Sequence, residues 1–152
     1  MKRYALLFLS ASLTVLVFVM SLQTGEVSGS MSSPITLALA RLIETVFPRM
    51  TFDLDTLHLI VRKCAHVTEY GALGIAYALT AIAWKVRPWI ACVAGAGIAF
   101  LDEWIQGFIP GRGPDPFDAL CFDIPGFLIG LVAVLLVAGR IGRNRRHRNN
   151  VS

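Results

Sequence analysis

YALLFLSASLTVLVFVMSL, residues 4–22, contains no charged side chain. As a helix rising ~1.5 Å per residue it would reach ~28 Å, close to the ~30 Å of a bilayer's hydrocarbon. Lys2 and Arg3 precede it, as they would precede either a membrane crossing or the apolar part of a signal peptide. Signal-peptide cores usually run about 7–15 residues and end at a small-residue A-x-A site. This run is longer and no clear A-x-A follows, so it is read as a retained crossing.

The rest of the chain agrees. Of its 152 residues 55% are hydrophobic and 16% charged, with mean hydropathy +0.64; soluble domains carry roughly 25% charged residues. The length allows one domain, 1–152. Three more apolar segments follow at 64–84, 88–108 and 117–139, joined by the short links KVRP (85–88) and GFIPGRGPDP (107–116). Links that short force antiparallel neighbours. The expected architecture is all-α: an integral membrane four-helix bundle.

Charge sets the orientation. Lys2, Arg3, Lys85, Arg87 and the basic tail at 140–152 (Arg140, Arg143, Arg145, Arg146, Arg148) fall on one side of a four-crossing arrangement. The positive-inside rule makes that side cytoplasmic, giving N-in and C-in in a bacterial cytoplasmic (inner) membrane. All ten acids fall at or beyond the other end. The formal charge of +4 is thus segregated by topology, which argues against nucleic acid as a partner.

Residues 23–61 are too long for a tight turn. QTGEVSGSMSSP is Ser/Gly-rich and reads as loop. From Pro34 the pattern turns helical, with Leu37, Ala40, Ile43, Val46 and Phe47 set against Arg41 and Glu44 and with Ser33 as the cap. This predicts an additional amphipathic helix on the outer face. Asp53 or Asp55 should cap an early start to the second crossing, with His58 as an interfacial side chain. Cys64, Cys92 and Cys121 form no CxxC pair and read as packing residues.

Depth makes the ionisable groups informative. The uncharged runs 70–84 and 88–101 cover only about 14 residues, or ~21 Å, so Glu69, Asp102 and Glu103 fall within the outer part of the hydrocarbon. Charges there persist only if paired, hydrated or neutralised. Arg62, His66, Glu69 and Leu73 share one helical face; Gln106 shares a face with Asp102 or with Glu103. Asp102 and Glu103 are adjacent and diverge by about 100°, so at most one of the two should enter a common pocket.

For phosphate-ester chemistry, Arg112 is the candidate anchor, and His66, oriented by Glu69, the base or nucleophile. Glu103 completes the candidate catalytic group; Lys63, Gln106 and Asp123 are candidate substrate contacts. Asp102, Glu103, Asp118 and Asp123 together could hold Ca²⁺ or Mg²⁺. Asp115, just before Pro116, reads as a helix cap, and Asp123 is deep enough to need a buried partner such as His66 or Arg112. Gly126 and Gly130 form a GxxxG step suited to close helix contact, including a homodimer.

RKxxHxxEYxxLG at 62–74, DExxQxFxPGR at 102–112 and the Asp/Gly series at 118, 123, 126 and 130 resemble the VanZ-like family of small bacterial membrane proteins. One departure is the separation of Asp118 and Asp123, wider than in the family pattern. The resemblance implies action at the cell surface and a link to teicoplanin susceptibility. It also implies kinship with enzymes that exchange or cleave lipid headgroups at a phosphate. The expected partner is a membrane lipid or a lipid-linked envelope precursor. The rival reading is a binding protein that sequesters a headgroup or an amphiphilic antibiotic without turnover.

Overall fold

The computed structural model describes residues 1–49, 53–113 and 115–149; the last three residues of the basic tail, 150–152, lie outside it. All regular structure among the described residues is helical. Helix α1 is Lys2–Ser21, α2 Gly25–Val46, α3 Leu54–Trp84 and α4 Pro88–Gln106. A short turn α5, Pro116–Asp118, passes through a π turn at Ala119–Asp123 into α6, Ile124–Asn149. Three stretches are long and apolar enough to cross a membrane: Lys2–Ser21, Pro88–Gln106 and Pro116–Asn144. Helix α3 is not among them, because Glu69 and its polar first half dilute its apolar content.

Yet α3 is the hub, in contact with α1, α2, α4 and α6. Hydrogen bonds order α1 antiparallel to it. Trp84 Nε1 donates to the Arg3 carbonyl at 3.1 Å, Ser10 and Thr80 hydroxyls meet at 2.8 Å, and Thr14 meets Tyr77 at 3.1 Å. The interior is filled mainly by small residues, among them Ala76, Ala78, Ala91, Ala99 and Ala119, around Tyr70, Leu73 and Phe127. Large apolar side chains such as Phe8, Val93 and Ile129 face outward. That inversion suits a lipid surround, where close backbone packing rather than water exclusion joins helices.

The α3–α6 seam is the tightest. A Cβ on Gly126 would lie 2.7 Å from the Val67 carbonyl oxygen, and one on Gly130 would overlap that of Gly71. A Cβ on Gly74 would overlap the carbonyl of Phe127. The GxxxG step packs against α3 of the same chain, where both glycines are buried.

Helix α2 departs most from expectation. It starts at Gly25, capped by Thr24 Oγ1 accepting from Val27 N at 3.3 Å, so the Ser/Gly-rich stretch is helix and Pro34 lies inside it, with Ser33 no cap. The hydroxyls of Ser30, Ser32 and Ser33 bond carbonyls three or four residues earlier, so these side chains find their partners within the helix. The face that meets α3 is Ser32, Thr36 and Ala40; Leu37, Leu42 and Val46 point outward. His58 is the fastener, its Nε2 3.2 Å from Ser32 Oγ and its Nδ1 3.4 Å from Thr36 Oγ1. The expected caps form at Asp53, whose carboxylate accepts from Asp55 N and Thr56 N, and at Asp115, which accepts from Phe117 N.

Candidate functional site

The polar residues gather at the end where α1 stops, α3 begins its buried course and α4 ends. His66 Nδ1 lies 3.1 Å from Asp123 Oδ1. Asp102 is 1% exposed, accepts the Ser21 hydroxyl on one oxygen and takes the Gln106 amide on the other at 3.0 Å. Donor atoms of His66, Asp102 and Asp123 all lie within 4.8 Å of one another. Asp123 is fully buried, and among the described residues neither its Oδ2 nor the buried hydroxyl of Tyr70 has a hydrogen-bond partner.

The π turn explains how Asp123 arrives. One wider turn at Ala119–Asp123 shifts the register between Asp118 and the rest of α6. Asp118 then pairs with Lys63, while Asp123 faces His66. Such bulges are frequent at functional sites, and this one coincides with the unusual Asp118–Asp123 spacing.

Arg112 comes from the link between α4 and α5. Gly111 has φ +74, a left-handed conformation glycine adopts freely, and its backbone abuts Gly25 so closely that a Cβ there would overlap the Gly111 carbonyl. Gly25 N donates to the Pro110 carbonyl at 3.1 Å, tying this link to the start of α2. Arg112 Nη2 donates to the Met20 carbonyl at 3.2 Å; its Nε is buried and has no partner among the described residues. Burial first, and the neighbouring Arg62 charge next, hold the Arg112 guanidinium below its ordinary pKa.

Two cavities meet here. One, of about 200 Å³, runs between α1, α2 and α3; it is apolar along Met20, Met31, Ile35 and Val61 and polar at Arg62, His66, Glu69 and Arg112. The other, of about 230 Å³, lies between α3 and the 111–118 segment and is lined by Arg62, Lys63, His66, Arg112, Asp115 and Asp118. Arg62, His66 and Arg112 stand on the walls of both.

The sequence thus brings His66, Glu69, Asp102, Gln106, Arg112 and Asp123 to one end, with two reassignments. His66 is held by Asp123, not by Glu69, which stands on the wall of the first cavity. The expected four-acid metal set divides: Glu103 accepts the Asp115 N–H at 3.0 Å and Asp118 is occupied by Lys63, leaving Asp102 and Asp123 with His66 as the group able to hold a cation. One imidazole beside two carboxylates is a mixed donor set, closer to the nitrogen-and-oxygen sites that Zn²⁺ favours than to an all-oxygen Ca²⁺ or Mg²⁺ site. Asp102 turns inward as the divergence argument allows; Glu103 is also buried, but toward the following link. Ser21 and Tyr70 were not singled out. Ser21 ends an apolar run with nothing to mark it, whereas Tyr70 directly follows Glu69 in the 62–74 motif.

Helices of membrane length, large side chains outside and ionisable groups within define an all-helical integral membrane protein with an internal polar site. The chain matches the VanZ/LLP1 family over residues 6–138, nearly its whole length, and belongs to that family. Comparison with curated proteins, and with solved structures, finds no match.

Proposed function

We propose that the polar end binds the phosphate of a phospholipid headgroup or lipid-linked envelope precursor and catalyses hydrolysis or transfer there. The observation that carries this reading is His66, clamped through Nδ1 by buried Asp123, on a cavity wall shared with Arg112. A clamped Nδ1 leaves Nε2 free to handle a proton. The incoming hydroxyl, of water or an acceptor, gives its proton to Nε2 while its oxygen bonds to phosphorus. The P–O bond to the leaving group breaks, and the leaving oxygen takes the proton. Arg112 anchors the phosphate oxygens.

In this reading α3 is the fourth crossing through residues 64–84, supported by its central packing. Helix α2, with Leu37, Leu42 and Val46 exposed, lies at the outer leaflet as the amphipathic element. Arg3 stacks on Tyr4 and Trp84 at the opposite end from the site, with Lys85 and Arg87 nearby in sequence. The positive-inside rule then makes that end cytoplasmic and the site outward-facing, N-in and C-in, in the cytoplasmic membrane. An effect on teicoplanin susceptibility would follow from altering surface lipid-linked material.

The test is turnover by purified protein of radiolabelled phospholipid and undecaprenyl-linked phosphate. His66→Ala should lower release of the labelled headgroup by about 10²–10⁴-fold, the usual worth of a positioned acid–base group. Binding of both substrates with no release, unchanged by His66→Ala and lost in Arg112→Ala, would establish the non-catalytic headgroup binder instead.

A further inference from the structure

The two cavities differ in kind yet share one cationic wall. Between them stand Arg62 and Arg112; among the described residues neither guanidinium has a carboxylate within ion-pair distance, the pairs formed being Lys63–Asp118 and His66–Asp123. Two arginines on one wall, near enough for the Arg62 charge to act on Arg112, and one of them with a buried Nε that lacks a partner among the described residues, favour an anion between them.

We infer that Arg62 and Arg112 form a single phosphate seat with two entrances, one for a lipid-borne phosphate through the apolar cavity and one for a water-borne phosphate through the polar cavity. This rests on the reading above and adds to it a second residue, Arg62, and a second ligand source. The first entrance has the right lining for an acyl chain: Met20, Met31, Ile35, Val61 and Ala65 lead to the arginines. The second is lined by the Lys63–Asp118 pair, Asp115 and glycines 111 and 113, a wall suited to a hydrated solute. A Cβ at Gly113 would meet nothing within 4 Å, so this wall has room for a larger side chain.

The test uses the full chain in two arms. In maltoside detergent without phospholipid, inorganic phosphate binding is measured by calorimetry; in nanodiscs, phosphatidic acid binding is measured by displacement of a fluorescent analogue. Phosphate should bind the wild type and should displace the lipid. Arg62→Gln should weaken both ligands roughly tenfold or more, the loss of a charged hydrogen bond, and Arg62→Lys should recover part of it. Gly113→Trp should abolish phosphate binding and spare the lipid; Ile35→Trp should do the reverse. Phosphate that fails to bind or to displace the lipid overturns the inference, as does equal binding by wild type and Arg62→Gln, or a block of both ligands by either tryptophan. Catalysis enters none of these readouts, so an enzyme reading that fails for want of turnover leaves them standing. Turnover with no phosphate binding would sink the shared seat alone.

Discussion

Around Gly71 and Gly74 helix α3 meets α6 backbone against backbone; a little over one turn earlier, at His66, α3 meets the π turn that leads into α6 through an imidazole and a carboxylate. The first contact is full: a Cβ on Gly74, Gly126 or Gly130 has nowhere to go. The second is unfinished, with Asp123 Oδ2, Glu103 Oε1 and the Tyr70 hydroxyl buried and unpartnered in its neighbourhood. Buried polar atoms left without partners cost stability, about 1–3 kcal/mol each. A protein that tolerates several at one end while closing the other to van der Waals contact separates the part that holds its shape from the part that carries its polar groups. Substitutions should divide along the same line.

The largest effect belongs to the glycine half. Gly130→Ala brings a methyl onto the Gly71 carbonyl, and because the obstacle is backbone, α6 must move. Overpacking of this kind costs about 1–3 kcal/mol, against the ~1 kcal/mol that alanine gains over glycine in a helix. Thermal unfolding in detergent should show a clear net loss. Gly97→Ala is the control, since a Cβ there meets nothing within 4 Å; it should leave the melting temperature unchanged or slightly raised. Equal behaviour of the two variants would mean that the seam is not closed.

The next effect belongs to the polar half. Asp123→Asn keeps the volume but replaces the carboxyl group that meets His66 Nδ1 with an amide. Under the proposed acid–base chemistry turnover should fall by up to the 10²–10⁴-fold worth of the imidazole itself, while the melting temperature moves less than in Gly130→Ala. A variant that unfolds as readily as the glycine mutant would show that Asp123 holds the fold rather than the site.

Smaller again is the α1–α3 contact. Thr80→Ala removes one partner of the 2.8 Å hydroxyl pair, but Ser10 keeps its bond to the Leu6 carbonyl. Interhelical bonds of this type in membranes average about 0.6 kcal/mol, so a shift of that order is expected in chemical denaturation.

The two halves were not equally legible. Apolar runs mark the segments 4–22, 88–108 and 117–139, the first free of charge and the other two carrying acids only toward one end, and the glycine step announces a close contact, though not its partner. His66, Asp102 and Arg112 could be placed at one end because helical spacing and short links fix depth. Depth is not partnership, however. That His66 chooses Asp123 over Glu69 depends on a π turn that an α-helical period does not encode. The Ser/Gly-rich start of α2 reads as loop by intrinsic preference; the Gly25–Gly111 contact and the His58 bonds to Ser32 and Thr36 hold it against the rest of the fold as helix. Tertiary structure decided every point at which local pattern failed.

The smallest effect lies outside both halves, at the α3 cap. Asp53 accepts the Thr56 hydroxyl at 2.8 Å and the Thr56 N–H at 3.0 Å, bonds that favour the carboxylate and hold its pKa below the ordinary 3.8. A group whose folded value is depressed stabilises the protein above its unfolded pKa, and that help fades as pH falls through the lower folded value. Wild type should therefore melt slightly above Asp53→Asn at neutral pH, with the gap closing only below about pH 4. Because Asp53 is fully exposed, the gap should be small beside that of Gly130→Ala. A gap that widens on acidification would contradict the sign of the cap's contribution and assign the start of α3 to some other interaction.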